Sequence, residues 1–386
     1  MASTSSAADP VRLLQDLIRC ASVTPTEAGV FDVLDQALAP LGFAVTRLSF
    51  EGNGSYPVDN LFATRGSTGP HLLFNGHTDV VPPGERGLWT HEPFGAEIAG
   101  DVLYGRGAVD MKSGIAAFVA ALAAAPPEAH ISLAITNDEE ADGVNGTARI
   151  MEWAAAEGHV FDFAIVGEPS ATARVGDSIK IGRRGSLNGR IVVEGVQGHV
   201  AYPHKALNPL PVAAHLVEVL SGTLDDGSEH FPASNLEFTS FDVGNSVANV
   251  IPAAATLRFN VRYNDRWTPE SLEASIREAI EGQDDEGTRI GFEVVGVPSR
   301  SFLSPLGGGV EMLVAAITAE TGAAPEMSTG GGTSDARFIA QYCPVAECGL
   351  PGPTMHKADE CVPLADVRAL TALYAAFLRR YFGAPA

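Results

Sequence analysis

At 386 residues the chain exceeds what one ordinary hydrophobic core organises, so two domains are expected. Hydrophobic residues make up 45% and charged residues 19%, the balance of a water-soluble globular protein. The net charge of −22 argues against nucleic acid and anionic membranes as partners, although a local pocket can still oppose the global field.

The chain opens on MASTSSAADP, which has no basic segment followed by an apolar run and so reads as no signal peptide. Asp9-Pro10 suits an N-cap and first helical position, and Leu13, Leu14, Leu17 and Ile18 repeat at helical spacing. A second helix is predicted from near Thr26, with Val30, Leu34 and Leu38 on one face. Strands follow at 71–75, 131–136 and 162–166, separated by helices near 113–125 and 146–157. The Ala-rich stretch Ile115 to Pro126 is too short for a membrane span and reads as a buried helix. This alternation predicts a mostly parallel α/β sheet with helices on both faces.

Near residue 180 the pattern changes to alternating strand-like runs at 189–194, 236–243 and 255–263, with helices at 208–221 and 269–281. An inserted α+β domain over 183–296 is expected, dividing a first domain into 1–182 and 297–386. The last section carries predicted helices at 308–321, 333–341 and 363–381 and a strand at 344–348. The four cysteines have neither disulfide-framework nor zinc-finger spacing, so a reducing, cytoplasmic setting is expected.

Five segments carry ligand-type residues just after apolar runs: His77 after HLLFNG, Asp110 in YGRGAVDMKSG, Glu139 and Glu140 after ISLAITND, Glu168 after FAIVG, and His356 after PVAECGLPGPTM. In open α/β sheets the carboxyl ends of strands converge on one crevice. Two imidazoles with several carboxylates there form a mixed N/O set suited to zinc or a similar divalent ion. In His77-Thr78-Asp79, alternate side chains of an extended segment point the same way, so Asp79 is placed to accept from the second nitrogen of His77. Asp110, in a Gly-rich turn, is placed to bridge two ions. Of the neighbours Glu139 and Glu140, one is expected to ligate and the other to face water as a general base. Taken singly, these are an acidic loop, a turn aspartate and surface histidines; the combination at the junctions of one sheet points to a two-metal hydrolase.

NGHTDVVPPG, GRGAVDMKSG, DEEADGVNGT, VGEPS, IKIGRRGSL, GVQGHVAYPH, NVIPA, GGTSDARF and MHKADE run in order along nearly the whole chain. Together they resemble the dizinc aminoacylase/carboxypeptidase family, and within it the succinyl-diaminopimelate desuccinylases. The resemblance implies that His77 and Glu168 hold one zinc, Glu140 and His356 the other, and Asp110 bridges them, with cobalt or manganese able to substitute. It implies Glu139 as general base, Asp79 as the partner of His77, and a cis peptide after Asp110. It further implies a homodimer in which His199 reaches the partner subunit's active site to stabilise the oxyanion. Arg183, Asn249 and Arg262 would receive substrate carboxylates. The Gly-rich run before the predicted helix at 333–341, with Gly331, Gly332, Thr333 and Ser334, would bind an anionic group, for which a substrate carboxylate fits better than a nucleotide. The implied reaction is amide hydrolysis of N-succinyl-LL-2,6-diaminopimelate to succinate and LL-2,6-diaminopimelate. A sibling such as acetylornithine deacetylase, or a non-catalytic metal-dependent binding protein, is the alternative.

Overall fold

A computed structural model describes residues 9–283 and 286–383. The described chain divides into two compact units. Among the described residues the first comprises 9–181, 303–328 and 334–383; the second comprises those of 182–302 with a short return at 329–333.

The first unit is built on an eight-stranded sheet. Its order is Ala44–Gly52, Ser55–Arg65, Ala129–Thr136, Thr68–His77, Phe163–Val166, Val345–Glu347, Ser178–Lys180 and Glu326–Ser328. The four central strands are mutually parallel. The first two form an antiparallel hairpin that extends the sheet through an antiparallel pairing with Ala129–Thr136. That hairpin is absent from the expected elements. Its outer strand buries no residue, so Thr46, Arg47, Ser49 and Glu51 give a polar texture that resembles a loop. The turn signal Gly52-Asn53-Gly54 between the strands was the readable clue.

Helix placement follows the apolar pattern. The first helix, Pro10–Arg19, starts at an Asp9 side chain that accepts the Val11 and Arg12 amides, and it buries Leu13, Leu14, Leu17 and Ile18. The second begins at Val30 rather than Thr26, because the backbone turns through Thr24–Pro25 and a left-handed Gly29 before it can coil. Lys112–Ala121 is apolar nearly all round and buries Lys112 to Val119 without a break. It packs against both the first helix and the last, Leu364–Tyr381, which contributes Val367, Leu370, Leu373, Tyr374 and Phe377 to the same core. Gly114 makes this possible: a Cβ there would lie 2.3 Å from the Gly167 carbonyl oxygen. The N-terminal turn of the buried helix therefore lies directly against the strand end that carries Glu168.

The second unit has a five-stranded antiparallel sheet, ordered Gly222–Thr223, Asn235–Asp242, Ala254–Tyr263, Gly185–Glu194 and Arg289–Ser299. In Ala254–Tyr263 every second residue is buried, and helices Leu210–Leu220 and Pro269–Glu281 supply the rest of its core. No helix among the described residues is long and apolar enough to cross a membrane.

Candidate metal centre and active site

Three neighbouring parallel strands deliver the first ligands. His77 ends Thr68–His77, Glu139 and Glu140 follow Ala129–Thr136 by three and four residues, and Glu168 lies two residues beyond Phe163–Val166. The other two depart from the expected strand-to-loop placement. Asp110 lies at no strand end; it stands two residues before the buried Lys112–Ala121 helix, with a cis Asp110–Met111 peptide. His356 sits eight residues past Cys348 in a loop that runs to Glu360, at a left-handed φ of 60°. Apolar residues preceded both positions, but in Gly-rich turn and loop geometry rather than in a strand of the main sheet.

The side chains nevertheless meet. His77 Nε2 is 3.1 Å from Asp110 Oδ1 and 3.4 Å from Glu168 Oε1. On the other flank His356 Nε2 is 3.1 Å from Glu140 Oε1 and 3.3 Å from Asp110 Oδ2. Each flank thus gathers one imidazole nitrogen and carboxylate oxygens, and Asp110 gives one oxygen to each. The edge of a tetrahedron with metal–ligand bonds of about 2.0–2.1 Å is about 3.3 Å, so these spacings fit donors around one ion per flank. Ligand atoms of His77, Glu139 and Glu168 also lie within 4.8 Å of one another, which puts Glu139 beside the first flank.

Asp79 does something different from the expected hydrogen bond. His77 Nδ1 bonds the Asp79 backbone carbonyl at 2.9 Å, whereas its distance to the nearer carboxylate oxygen is 3.6 Å. The carboxylate instead accepts the backbone amides of Glu139 (3.2 Å) and Glu140 (3.1 Å) and the Thr24 hydroxyl (2.8 Å). A tight turn after the strand brings the carbonyl, not the side chain, to the ring. Asp79 therefore fixes the tautomer of His77 through its main chain and the Glu139–Glu140 turn through its side chain. Asp138 faces elsewhere: it accepts the Tyr56 hydroxyl and the amides of Val144 and Asn145, which removes it from the carboxylate cluster.

Electrostatics follow from this crowding. Burial opposes a charge on His77, yet hydrogen bonds to Asp110 and Glu168 outweigh it and hold its pKa well above the usual histidine value. Hydrogen bonds to Asp110 and Glu140 lift His356 to about 10. Burial, aided by the charge of Asp110, raises Glu168 to about 8, and burial together with the charge of Glu168 raises Glu139 well above the usual range. Among these side chains alone, protons supply the positive charge that the carboxylates require. Ligating nitrogens must be neutral, so an arriving divalent ion must expel those protons. Both histidine pKa values lie above their ordinary values, so the apparent metal affinity of stripped protein is expected to rise with pH through the neutral range. Calorimetric titration in buffers of differing ionisation enthalpy checks this; pH-independent affinity without proton release would contradict it.

The remaining expected site residues lie as follows. In the second unit His199 is exposed on the short strand Gly198–His199, paired with Val250–Ile251, and its Nδ1 accepts the Ala201 amide at 3.1 Å. Asn249 is on the same arm, its carbonyl accepting the Val200 amide at 3.1 Å. Arg262 lies within the sheet opposite Ser186 and Asn235. Arg183 Nη1 donates to the carbonyls of Gly330 and Gly332, each at 3.2 Å, and passes close to Gly331, whose φ is 101°. The Gly-rich run therefore turns carbonyls toward a guanidinium. Thr333 ends that return, and Ser334, buried, donates its hydroxyl to Glu347. The predicted helix at 333–341 shrinks to the single turn Ala336–Ile339. An anion-binding helix end is thus replaced by an arginine-backed loop.

Sequence reading overlooked Glu360, although MHKADE contains it. Its buried carboxylate accepts the Arg106 guanidinium (2.7 Å) and the amides of Gly107 (3.1 Å), Val109 (2.8 Å) and Asp110 (3.2 Å). It also overlooked Thr24, whose only sequence signal was its place before Pro25.

Parallel strand ends that supply His77, Glu140 and Glu168, joined by Asp110 and His356 from two loops, form the ligand set of a metal-dependent hydrolase. The sequence model of Peptidase family M20/M25/M40 matches residues 73–380, and the chain belongs to that family. It is 50% identical over 391 residues to a protein named succinyl-diaminopimelate desuccinylase from Rhodopseudomonas palustris (strain BisB18), covering 98% of this chain and 99% of the relative. Among solved structures it resembles a tripeptidase from Staphylococcus aureus, with a TM-score of 0.79 at 19% identity over 98% of this chain and 99% of that one. It also resembles an M20 family metallo-carboxypeptidase from Sulfolobus solfataricus, with a TM-score of 0.78 at 16% identity over 97% of this chain and 99% of that one. Those two likenesses establish the shared fold.

Proposed function

We propose that this chain hydrolyses the amide bond of N-succinyl-LL-2,6-diaminopimelate, giving succinate and LL-2,6-diaminopimelate for diaminopimelate and lysine biosynthesis. The reaction rests on one observation above all: two imidazole–carboxylate flanks joined by the two oxygens of Asp110. The choice of substrate is supported by the full-length similarity to proteins of that name.

His77, Asp110 and Glu168 would hold one zinc ion, and His356, Asp110 and Glu140 a second, with cobalt or manganese as substitutes. Bound metal supplies Lewis-acid polarisation of the scissile carbonyl and activation of water. Glu139 takes a proton from the attacking water as its oxygen bonds to the carbonyl carbon. As the carbon–nitrogen bond breaks, Glu139 returns that proton to the leaving amine. Asp79 keeps the Glu139 backbone fixed meanwhile.

The unit inserted after residue 181 serves, on this reading, as a dimerisation and substrate-binding domain. Arg183, Asn249 and Arg262 receive the substrate carboxylates, Arg183 being backed by carbonyls of the Gly-rich loop and arginine being suited to paired hydrogen bonds. His199, exposed on its arm, donates to the oxyanion in the partner subunit's active site. The enzyme works in a reducing, cytoplasmic compartment, in keeping with free thiols at Cys20, Cys343, Cys348 and Cys361.

Two experiments test these assignments. Metal-reconstituted protein assayed on a panel of N-acyl diamino acids is expected to prefer succinyl-diaminopimelate; a strong preference for acetylornithine would overturn the substrate. Mixing inactive His199→Ala and Glu139→Gln homodimers under subunit exchange is expected to restore activity, since a hybrid contains one intact site. No recovery despite proven exchange would remove His199 from the partner's site.

A further inference from the structure

We infer that Glu360 is a positioning residue that ties the Asp110 loop to the His356 loop and thereby sets how tightly the Asp110–Glu140–His356 flank holds its ion. The inference rests on the reading that each flank binds one ion.

The two flanks are supported unequally. His77 is buried at the end of a central strand and Glu168 lies two residues beyond another. His356, by contrast, projects from an irregular loop, and 45% of its side chain is exposed. Nothing periodic fixes that loop. Its anchor is at its far end, where Asp359 accepts the amides of Thr90 (2.8 Å) and His91 (3.2 Å) and Glu360 turns inward.

Glu360 is only 1% exposed, so its charge needs compensation, and the compensating donors all come from the segment ending in Asp110. One oxygen accepts Arg106 and the Gly107 amide; the other accepts Val109 and Asp110. The Glu360 carbonyl adds a bond from the Gly105 amide at 2.8 Å. Arg106 is itself held over the Trp89 ring, 5.3 Å from its centroid. A single carboxylate thus fixes both the backbone of the bridging residue and, four residues along the chain, the histidine that faces its outer oxygen. Removing it loosens two of the three ligands on the His356 flank. On the His77 flank it loosens one of three, and the other two keep their strand supports.

The test is titration of metal-stripped wild type, Glu360→Gln and Glu360→Asp with Zn2+ by calorimetry, with Co2+ absorption reporting each site. Gln keeps the shape but presents an amide group to backbone N–H donors. Asp keeps the charge for Arg106 but falls short of the Val109 and Asp110 amides, so it carries the test if Gln does not fold. Wild type should take up two ions. The variants should weaken the second binding event by about 10–100-fold, as loss of a partner that orients a ligand typically does, with much less change in the first. Leu370→Ala, a core truncation in the last helix, serves as the control for general destabilisation and should leave both events unchanged. Equal weakening of both events, or no weakening of either, in the folded Glu360 variants overturns the inference. A single event in wild type overturns the two-ion reading itself.

Discussion

Glu139→Gln protein is expected to bind both ions as wild type does and to lose turnover by about 10²–10⁴-fold, the usual contribution of a positioned acid–base group. The substitution is nearly isosteric, and the backbone amide of residue 139 remains bonded to Asp79, so the adjacent Glu140 keeps its place. What disappears is a proton acceptor crowded by Glu168 and Glu140. Metal stoichiometry measured beside kcat separates the two roles open to this side chain. Lost turnover with full metal content marks a base; a lost ion marks a ligand, which the proximity of Glu139 to His77 and Glu168 would also permit. Near-normal turnover would exclude both.

A larger effect on metal content is expected from Asp110→Ala. Its two oxygens face opposite imidazoles, so one substitution takes a ligand from each flank. Loss of a residue that merely orients a ligand costs about 10–100-fold in affinity, and loss of the shared ligand should exceed that for both ions. Dialysed protein should then contain little metal and show no measurable turnover at ordinary metal concentrations. The fold should survive, because the Asp110 amide still bonds Glu360 and the following helix remains buried. Elemental analysis with circular dichroism checks this directly; two retained ions would show that Asp110 is no bridge.

Comparing sequence with structure shows which kinds of information travel along a chain. Apolar runs ending in His77, Glu139–Glu140 and Glu168 were readable because a buried parallel strand has a local signature and its carboxyl end a fixed meaning. Asp110 and His356 were picked out by residue type, but their supports are irregular. No periodicity announces a left-handed histidine or a turn clamped by a carboxylate 250 residues away. The role of Asp79 was half legible. Its spacing from His77 predicted proximity, yet the choice between carbonyl and carboxylate depends on the local turn. The Gly-rich run misled for a related reason: glycines admit many backbone paths, and here the path is set by Arg183, 147 residues earlier than Gly330. The polar outer hairpin strand, burying nothing, hid a regular element behind a loop-like composition.

The order in which the polypeptide leaves the ribosome gives the buried Lys112–Ala121 helix a further significance. It is covered by Leu364–Tyr381, and the outer flank of the centre needs His356, so neither is complete until those later residues have been made. The second unit has its sheet and both helices within residues 182–302 and can assemble well before that. A nascent chain can therefore have formed the sheet and helices of the inserted unit while the first unit is unfinished, with an apolar helix awaiting its cover. Metal capture is in this sense a late event of biosynthesis, available only to a chain translated past His356 and the helix that follows it.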